Sequence, residues 1–141
     1  MSIKRITQPS TEPVLLADVK AQLSIATADT LVDAIITRRI TEARQWAENF
    51  TGRTIMPSNW EVVLDAFPHE VELFYPPATA IVSVTYTDTA GVTQTMDSAD
   101  YYLDEDALPN WLLPAYGTTW PDTLATANAV RVRYTAGYAD A

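Results

Sequence analysis

The chain has 141 residues, a net charge of -9 and no cysteine. This length allows one domain with one hydrophobic core, and the lack of cysteine excludes disulfides and thiolate chemistry. No apolar run approaches the roughly 20 residues that span a bilayer, and the polar first residues are unlike a secretory signal peptide. The composition therefore predicts an ordinary globular protein without a membrane segment.

The charge is unevenly distributed along the chain. Residues 1–55 carry seven basic and six acidic side chains, whereas residues 56–141 carry two basic and twelve acidic ones. An acidic surface repels phosphate, so general nucleic-acid binding through the second part is disfavoured. We therefore expect the two parts to serve different purposes.

Apolar residues in the first part recur with a helical period. The start of the chain, with two prolines, is expected to be extended and mobile, and Leu16, Val19 and Leu23 then predict a short helix. A long helix follows over about residues 31–50, because Thr30 has the spacing of an N-cap residue and Gly52 lies where a C-terminal cap belongs. The sequence predicts these two helices before any strand.

One face of the long helix is expected to be buried and the other to contact partners. The predicted buried stripe consists of Leu31, Ile35, Ile36, Ile40, Ala43, Ala47 and Phe50. The predicted contact residues are Arg38, Arg39, Arg44 and Trp46. The same arginines permit a different reading as a DNA-recognition helix, although acidic residues interrupt them.

After Pro57 the apolar period changes to two, which predicts β-strands. The predicted strands lie in "NWEVVLDAF", "VELFYPP", "AIVSVTYTD", "VTQTM", "DYYLD" and "NAVRVRYTAGY". Helices followed by antiparallel strands predict an α+β fold, and we expect one compact domain over residues 1–141. Its helical part is 1–55, and its β-rich part is 56–141 with a C-terminal arm.

The sequence contains no convincing catalytic constellation. Five carboxylates lie close together in the acidic cluster of residues 97–106 (Asp97, Asp100, Asp104, Glu105 and Asp106). Hard cations bind clustered carboxylates, so a metal-dependent hydrolase remains an alternative, although the spacing does not match an EF-hand loop. His69 has no second histidine or cysteine to share a zinc ion. The residues alone thus identify no catalytic site and no cofactor.

The stretch "PAYGTTWP" at residues 114–121 has one glycine and no lysine, which excludes a P-loop. An ordered turn, with Trp120 packed against the body of the protein, is the favoured reading.

The order of several segments resembles the head–tail connector (adaptor) proteins of long-tailed bacteriophages. The most specific segments are "ARQWAENFTGR", "PPATAIVSVTY" and the pair "AYGTTWP" and "VRVRYTAGY". The resemblance covers nearly the whole chain. It implies a virion structural protein without enzymatic activity. The protein is expected to form a twelve-fold ring beneath the portal and to bind a stopper or tail-terminator protein. The ring leaves a channel through which DNA passes without specific binding. It also implies location in the virion neck, after assembly in the host cytoplasm; a tail-completion or stopper subunit is the alternative within virion proteins.

The resemblance also suggests where partners bind. Connectors of this kind hold the portal with their C-terminal region, so residues 128–141 are expected to form a docking arm with Gly137 as its hinge. Self-pairing of Arg131 and Arg133 within the sheet is the alternative. The predicted partner-interface residues are Arg38, Arg39, Arg44, Trp46, Arg131, Arg133 and Tyr138. Because the chain is acidic, we expect an isolated monomer that assembles on a portal template.

Overall fold

A computed structural model describes residues 1–138 of the chain. Two helices and eight strands follow one another in this order: β1 (Ser2–Arg5), α1 (Leu16–Gln22), α2 (Asp33–Thr51), β2 (Ser58–Leu64), β3 (Val71–Leu73), β4 (Ala78–Thr87), β5 (Thr93–Thr95), β6 (Tyr101–Asp104), β7 (Asn110–Pro114) and β8 (Val130–Ala136). A short 3-10 turn, Ser98–Asp100, precedes β6. The predicted α+β fold is confirmed.

The strands form two antiparallel sheets that share one core. The larger sheet has the order β1-β2-β8-β4-β5, and the smaller has the order β3-β7-β6. Apolar side chains from both sheets meet between them, among them Val62 and Val132 from the larger sheet and Leu73 and Leu112 from the smaller. The two sheets are therefore the layers of a sandwich, and each has an outer face that points away from this core.

Strand β8 lies at the centre of the larger sheet, between β2 and β4. Its alternation was predicted correctly, because Val130, Val132 and Tyr134 are fully buried while the arginines between them point outward. The Tyr134 hydroxyl donates a hydrogen bond to the Phe74 carbonyl at 2.6 Å. This strand is therefore a central part of the core.

The structure adds two strands that the sequence did not predict. The start of the chain is not free, since β1 pairs with β2 in register from Ser2–Val63 to Arg5–Trp60. Strand β7 joins β3 to β6 in the smaller sheet. The first element of the chain is therefore a strand, and the helices are an insertion between β1 and β2.

The predicted turn at residues 114–121 is confirmed. Gly117 has a positive φ of 80°, which glycine adopts without steric cost. Trp120 packs down with its ring stacked on Phe67 at 4.7 Å, and its Nε1 donates to the His69 carbonyl. The His69 side chain itself is exposed.

The long helix ends at Gly52, which is left-handed with φ 65° as predicted, but no N-cap side chain bonds to its first turn. Within residues 1–138, neither helix is long and apolar enough to cross a membrane.

Candidate subunit interface

Helix α2 turns charged side chains toward the body of the protein. Arg44 is only 4 % exposed. Its Nε donates to Glu12 Oε2 at 2.7 Å, and its NH1 donates to Glu48 Oε2 at 2.8 Å. The prediction that Arg44 is a surface contact residue is therefore wrong, because two carboxylates compensate its charge inside the fold.

Glu48 ties α2 to the sheet. Its Oε2 also accepts a hydrogen bond from Arg5 NH2 at 2.7 Å, and its Oε1 accepts one from the Ile55 backbone N–H at 2.9 Å. Arg5 lies over the Trp60 ring, 4.5 Å from its centre. The inner side of α2 is thus held by an ionic network in place of an apolar seam.

The same network shifts two pKa values. Burial alone would raise the pKa of Glu12, but hydrogen bonds from Arg44 and Thr41 outweigh it, and the pKa is lowered. Burial would lower the pKa of Arg44, yet Glu12 and Glu48 raise it. Both groups therefore stay ionised at neutral pH.

The predicted buried stripe of α2 is largely exposed. Leu31 is 90 %, Phe50 77 % and Ile35 54 % exposed, whereas Ile36 is buried and Ile40 is half-buried. The expectation was wrong for most of the stripe, because the two sheets complete the core without these side chains. Because large exposed apolar patches often mark interaction sites, this side of α2 is a candidate interface.

A shallow groove of about 620 Å³ runs between α1 and α2. Its walls are almost entirely apolar and include Val19, Leu23, Ile36, Ile40 and Ala47. Beside it Trp46 and Phe50 stack on the outer surface with ring centroids 5.2 Å apart. We call this groove, together with Leu31, Ile35, Trp46 and Phe50, the apolar face of α2. Trp46 is exposed, so it stays a candidate for partner contacts.

Arg38 and Arg39 are exposed on α2, where both pair with Glu42, at 3.5 and 2.7 Å. Exposed pairs of this kind contribute little to stability. The alternative of a DNA-recognition helix is weakened, since Arg44 is buried and only two of its three arginines are exposed. Arg38 and Arg39 stay candidates for partner contacts.

Arg131 and Arg133 pair within their own sheet. Arg131 NH1 lies 3.1 Å from Glu61 Oε1, Arg133 Nε lies 2.6 Å from Glu61 Oε2, and Lys4 Nζ lies 2.8 Å from Oε1. The Glu61 side chain is fully buried beneath them. Burial would raise the pKa of Glu61, but hydrogen bonds from Lys4 and Arg133 lower it to about 2.

The expected C-terminal arm is part of the fold as far as Tyr138. Gly137 donates its N–H to the Pro77 carbonyl at 2.9 Å, and Tyr138 donates its N–H to the Ile55 carbonyl at 3.0 Å. The Tyr138 hydroxyl accepts a hydrogen bond from Arg53 at 3.0 Å. A hinge at Gly137 is therefore wrong, since the backbone there is held from two sides. The rest of the expected arm, residues 139–141, lies outside the described residues.

Carboxylates of residues 97–106 accept hydrogen bonds from nearby backbone N–H groups in turns. Asp97 accepts a hydrogen bond from the Ala99 N–H, and Asp104 accepts one from the Asp106 N–H. Within residues 1–138, no group of three or more histidine or acidic side chains is arranged to hold a metal ion. The geometry thus gives no support to the metal-dependent hydrolase.

Sequence reasoning missed Glu12, Glu48 and Glu61, the three carboxylates that hold the charged side chains. The i, i+4 spacing of Arg44 and Glu48 is a signal that could have found one pair. Nothing in the sequence places Glu61 beside Arg133, because that contact depends on the pairing of β2 with β8.

No protein-family model matches the chain. No curated protein sequence matches it either. Solved structures do match. A chain in the neck of an empty GTA particle computed with C6 symmetry aligns with a TM-score of 0.79, and a chain in the virion of a native gene transfer agent (GTA) particle aligns with 0.77. A chain in the neck of a native GTA particle computed with C12 symmetry aligns with 0.70.

The chain has the fold of these particle proteins. Each alignment covers 99 % of this chain and 71–73 % of the other chain, at 19 % sequence identity. The likeness agrees with the resemblance found in the sequence. At this identity it establishes the fold.

Proposed function

We propose that the protein is a non-enzymatic structural subunit of a bacteriophage-type virion neck, and that it forms a ring through the apolar face of α2. The observation that carries the proposal is the orientation of α2: Arg44 and Glu48 point inward, while large apolar side chains such as Ile35, Trp46 and Phe50 point outward. A monomer gains nothing from exposing these apolar side chains, whereas a neighbouring subunit removes them from water.

The fold supports the neck location. The chain shares its fold over nearly its whole length with chains from GTA necks and a GTA virion, two of which come from C6 and C12 reconstructions. In agreement with the C12 reconstruction, we propose that this chain forms a twelve-fold ring. Cyclic rings form when two different surfaces of identical subunits pair and the rotation closes.

The finer role is that of an adaptor. The ring joins the portal of the head to a stopper or tail-terminator protein, assembles in the host cytoplasm, and leaves a channel for DNA. The net charge of -9 per subunit supports a channel wall that does not hold phosphate. The competing role is a tail-completion or stopper subunit, which would bind the tail tube and not the portal.

Two matched substitutions test the interface. Ile35→Asp places a charge on the apolar face of α2, and Val92→Asp places the same charge on the β4–β5 hairpin at nearly equal exposure, 53 % against 54 %. Both variants should fold, as judged by circular dichroism, because neither side chain is in the core. Sedimentation velocity at rising concentration and incorporation into particles then report assembly.

We expect Ile35→Asp to abolish concentration-dependent association and incorporation, and Val92→Asp to leave both near the wild-type level. Equal assembly by the two variants would contradict the interface. Binding of wild-type protein to purified portal, compared with tail tubes, separates the adaptor from the stopper role.

A further inference from the structure

The outer face of the five-stranded sheet carries a cluster of cations, here called the basic patch: Lys4, Arg131 and Arg133 around Glu61. Three positive charges against one negative leave a net charge of +2. The whole chain has a net charge of -9, and no lysine or arginine lies between Arg53 and Arg131. The basic patch is therefore a positively charged region on a protein whose net charge is negative.

The cationic side chains of the basic patch are held by Glu61 and keep unused hydrogen-bond donors. Within residues 1–138, Arg131 bonds only through NH1 and Arg133 only through Nε. All three cationic side chains are about half exposed. Because buried Glu61 already orders the guanidinium groups, a second carboxylate can bind them with a smaller loss of side-chain entropy.

A complementary surface exists on the smaller sheet. The loop after β6 is held by the buried Asn110, whose Nδ2 donates to the carbonyls of Asp104, Glu105 and Ala107 at 3.0–3.2 Å. Glu105 and Asp106 are exposed on this loop, and among residues 1–138 nothing pairs with their carboxylates. We call residues 97–106 the acidic segment; it holds five carboxylates and no cation.

The basic patch lies on the outer face of the larger sheet, on β1, β2 and β8. Glu105 and Asp106 lie on the loop between β6 and β7 of the smaller sheet. Within residues 1–138, the basic patch forms no ion pair with these two carboxylates. The patch and the carboxylates can meet between two copies, where complementary charge fixes orientation and register.

We propose that the basic patch of one copy receives the acidic segment of a second copy. This inference rests on the ring-forming function proposed above, and it adds a polar contact to the apolar one. Because two different surfaces pair, the contact propagates from copy to copy in one direction, as a ring requires.

Carbodiimide cross-linking tests the contact directly, because this reagent joins an amine to a carboxylate that touches it. The chain has two lysines, and Lys20 is buried while Lys4 is exposed in the basic patch. An equal mixture of 14N- and 15N-labelled protein at high concentration distinguishes bonds between chains from bonds within one chain by mass spectrometry.

We expect mixed-isotope products that join Lys4 to Glu105 or Asp106. Products from Lys4 to Glu61 alone, to carboxylates elsewhere on the second chain, or none between chains would overturn the proposal. If association through the apolar face of α2 persists in that case, the ring function stands without the charge contact. If both association and incorporation into particles are absent, the proposed function fails as well.

A charge exchange provides the second test. Arg131→Glu leaves Lys4 and Arg133 on Glu61, and the double substitution Glu105→Lys/Asp106→Lys alters only exposed side chains. Each variant alone should associate at least about tenfold more weakly at low salt, since one substitution removes the net positive charge of the patch and the other removes most of the negative charge of the segment. An equimolar mixture should recover association, because the unaltered patch of one variant can pair with the unaltered segment of the other.

The control Glu70→Lys/Asp122→Lys changes the net charge equally on exposed residues outside the acidic segment. Weakening by the control to the same extent, or failure of the mixture to recover, would refute the specific pairing. Salt-dependent binding of duplex DNA that Arg131→Glu removes would assign the patch to nucleic acid and likewise overturn the proposal.

Discussion

Removing the carboxylate of Glu48 should cost far more stability than removing that of Glu42, six residues earlier on the same helix. Glu48 is buried and accepts three hydrogen bonds, two of them from arginines at 2.7 and 2.8 Å. Breaking a buried ion pair from one side typically costs about 3–5 kcal/mol, because the remaining charge stays buried. Glu12 still compensates Arg44, which keeps the expected loss for Glu48→Ala within this range.

Urea unfolding monitored by tryptophan fluorescence measures the loss, with circular dichroism as a second probe. Glu42→Ala is the control, since Glu42 pairs with Arg38 and Arg39 on the surface and should contribute about 0–1 kcal/mol. A loss for Glu48→Ala below about 1 kcal/mol, or one equal to that of the control, would refute the view that an ionic network holds α2 to the sheet.

Three further predictions concern the sandwich. Glu61 has a pKa of about 2 in the folded chain against 4.5 when unperturbed, so its contribution to the free energy of unfolding is complete above pH 4.5 and is lost as the pH falls toward 2. The stability difference between wild type and Glu61→Gln should therefore shrink over that range. A difference independent of pH would contradict the lowered pKa of Glu61. Leu112→Ala, in the core, should lower the free energy of unfolding by about 2–5 kcal/mol, whereas Leu31→Ala, almost fully exposed, should change it by less than about 0.5 kcal/mol in calorimetry. Gly137→Ala should destabilise the protein more than Gly91→Ala. Both glycines have positive φ, but a Cβ at Gly137 would lie 2.6 Å from the Met56 carbonyl carbon, whereas a Cβ at Gly91 would have no atom within 4 Å. Equal melting temperatures of the two variants would count against this packing.

Strand β8 was predictable from sequence because its alternation is local and its apolar face is buried as the pattern requires. Strand β1 was not, since "SIKR" has a single apolar residue and its conformation is decided by hydrogen bonds to β2, almost 60 residues away. In β4 the period-two pattern is interrupted by irregular pairing near Ile81 and Ser83, and Val82 is exposed while Val84 is buried. Local pattern thus located most strands but could not place every residue within them.

The existence of α2 and its C-terminal end followed from its periodicity and from Gly52, but its N-terminal cap and its orientation did not. A helical stripe shows which residues share a face, and it does not show whether the chain's own core or a neighbour covers that face. Arg44 is turned inward because Glu12, 32 residues earlier in the chain, accepts its Nε hydrogen bond. That partner lies in a segment expected to be mobile, so the candidate interface could not be assigned from sequence.

The size of the apolar face leads to a last prediction, that the isolated protein is monomeric or weakly associated when dilute. Four large side chains on it, Leu31, Ile35, Trp46 and Phe50, are more than half exposed. Complete burial of each contributes about 1.5–3 kcal/mol, or about 6–12 kcal/mol together, while bringing two proteins together costs about 4–15 kcal/mol. The balance for one contact is close to zero, and the charge of -9 on each subunit adds repulsion. A ring closes only when every subunit gains contacts on two sides, or when a template such as the portal has already gathered the subunits. Light scattering should therefore show monomers in dilute low-salt buffer and larger species only at high concentration. A stable ring under dilute conditions would mean that the subunit contacts are much stronger than this face provides.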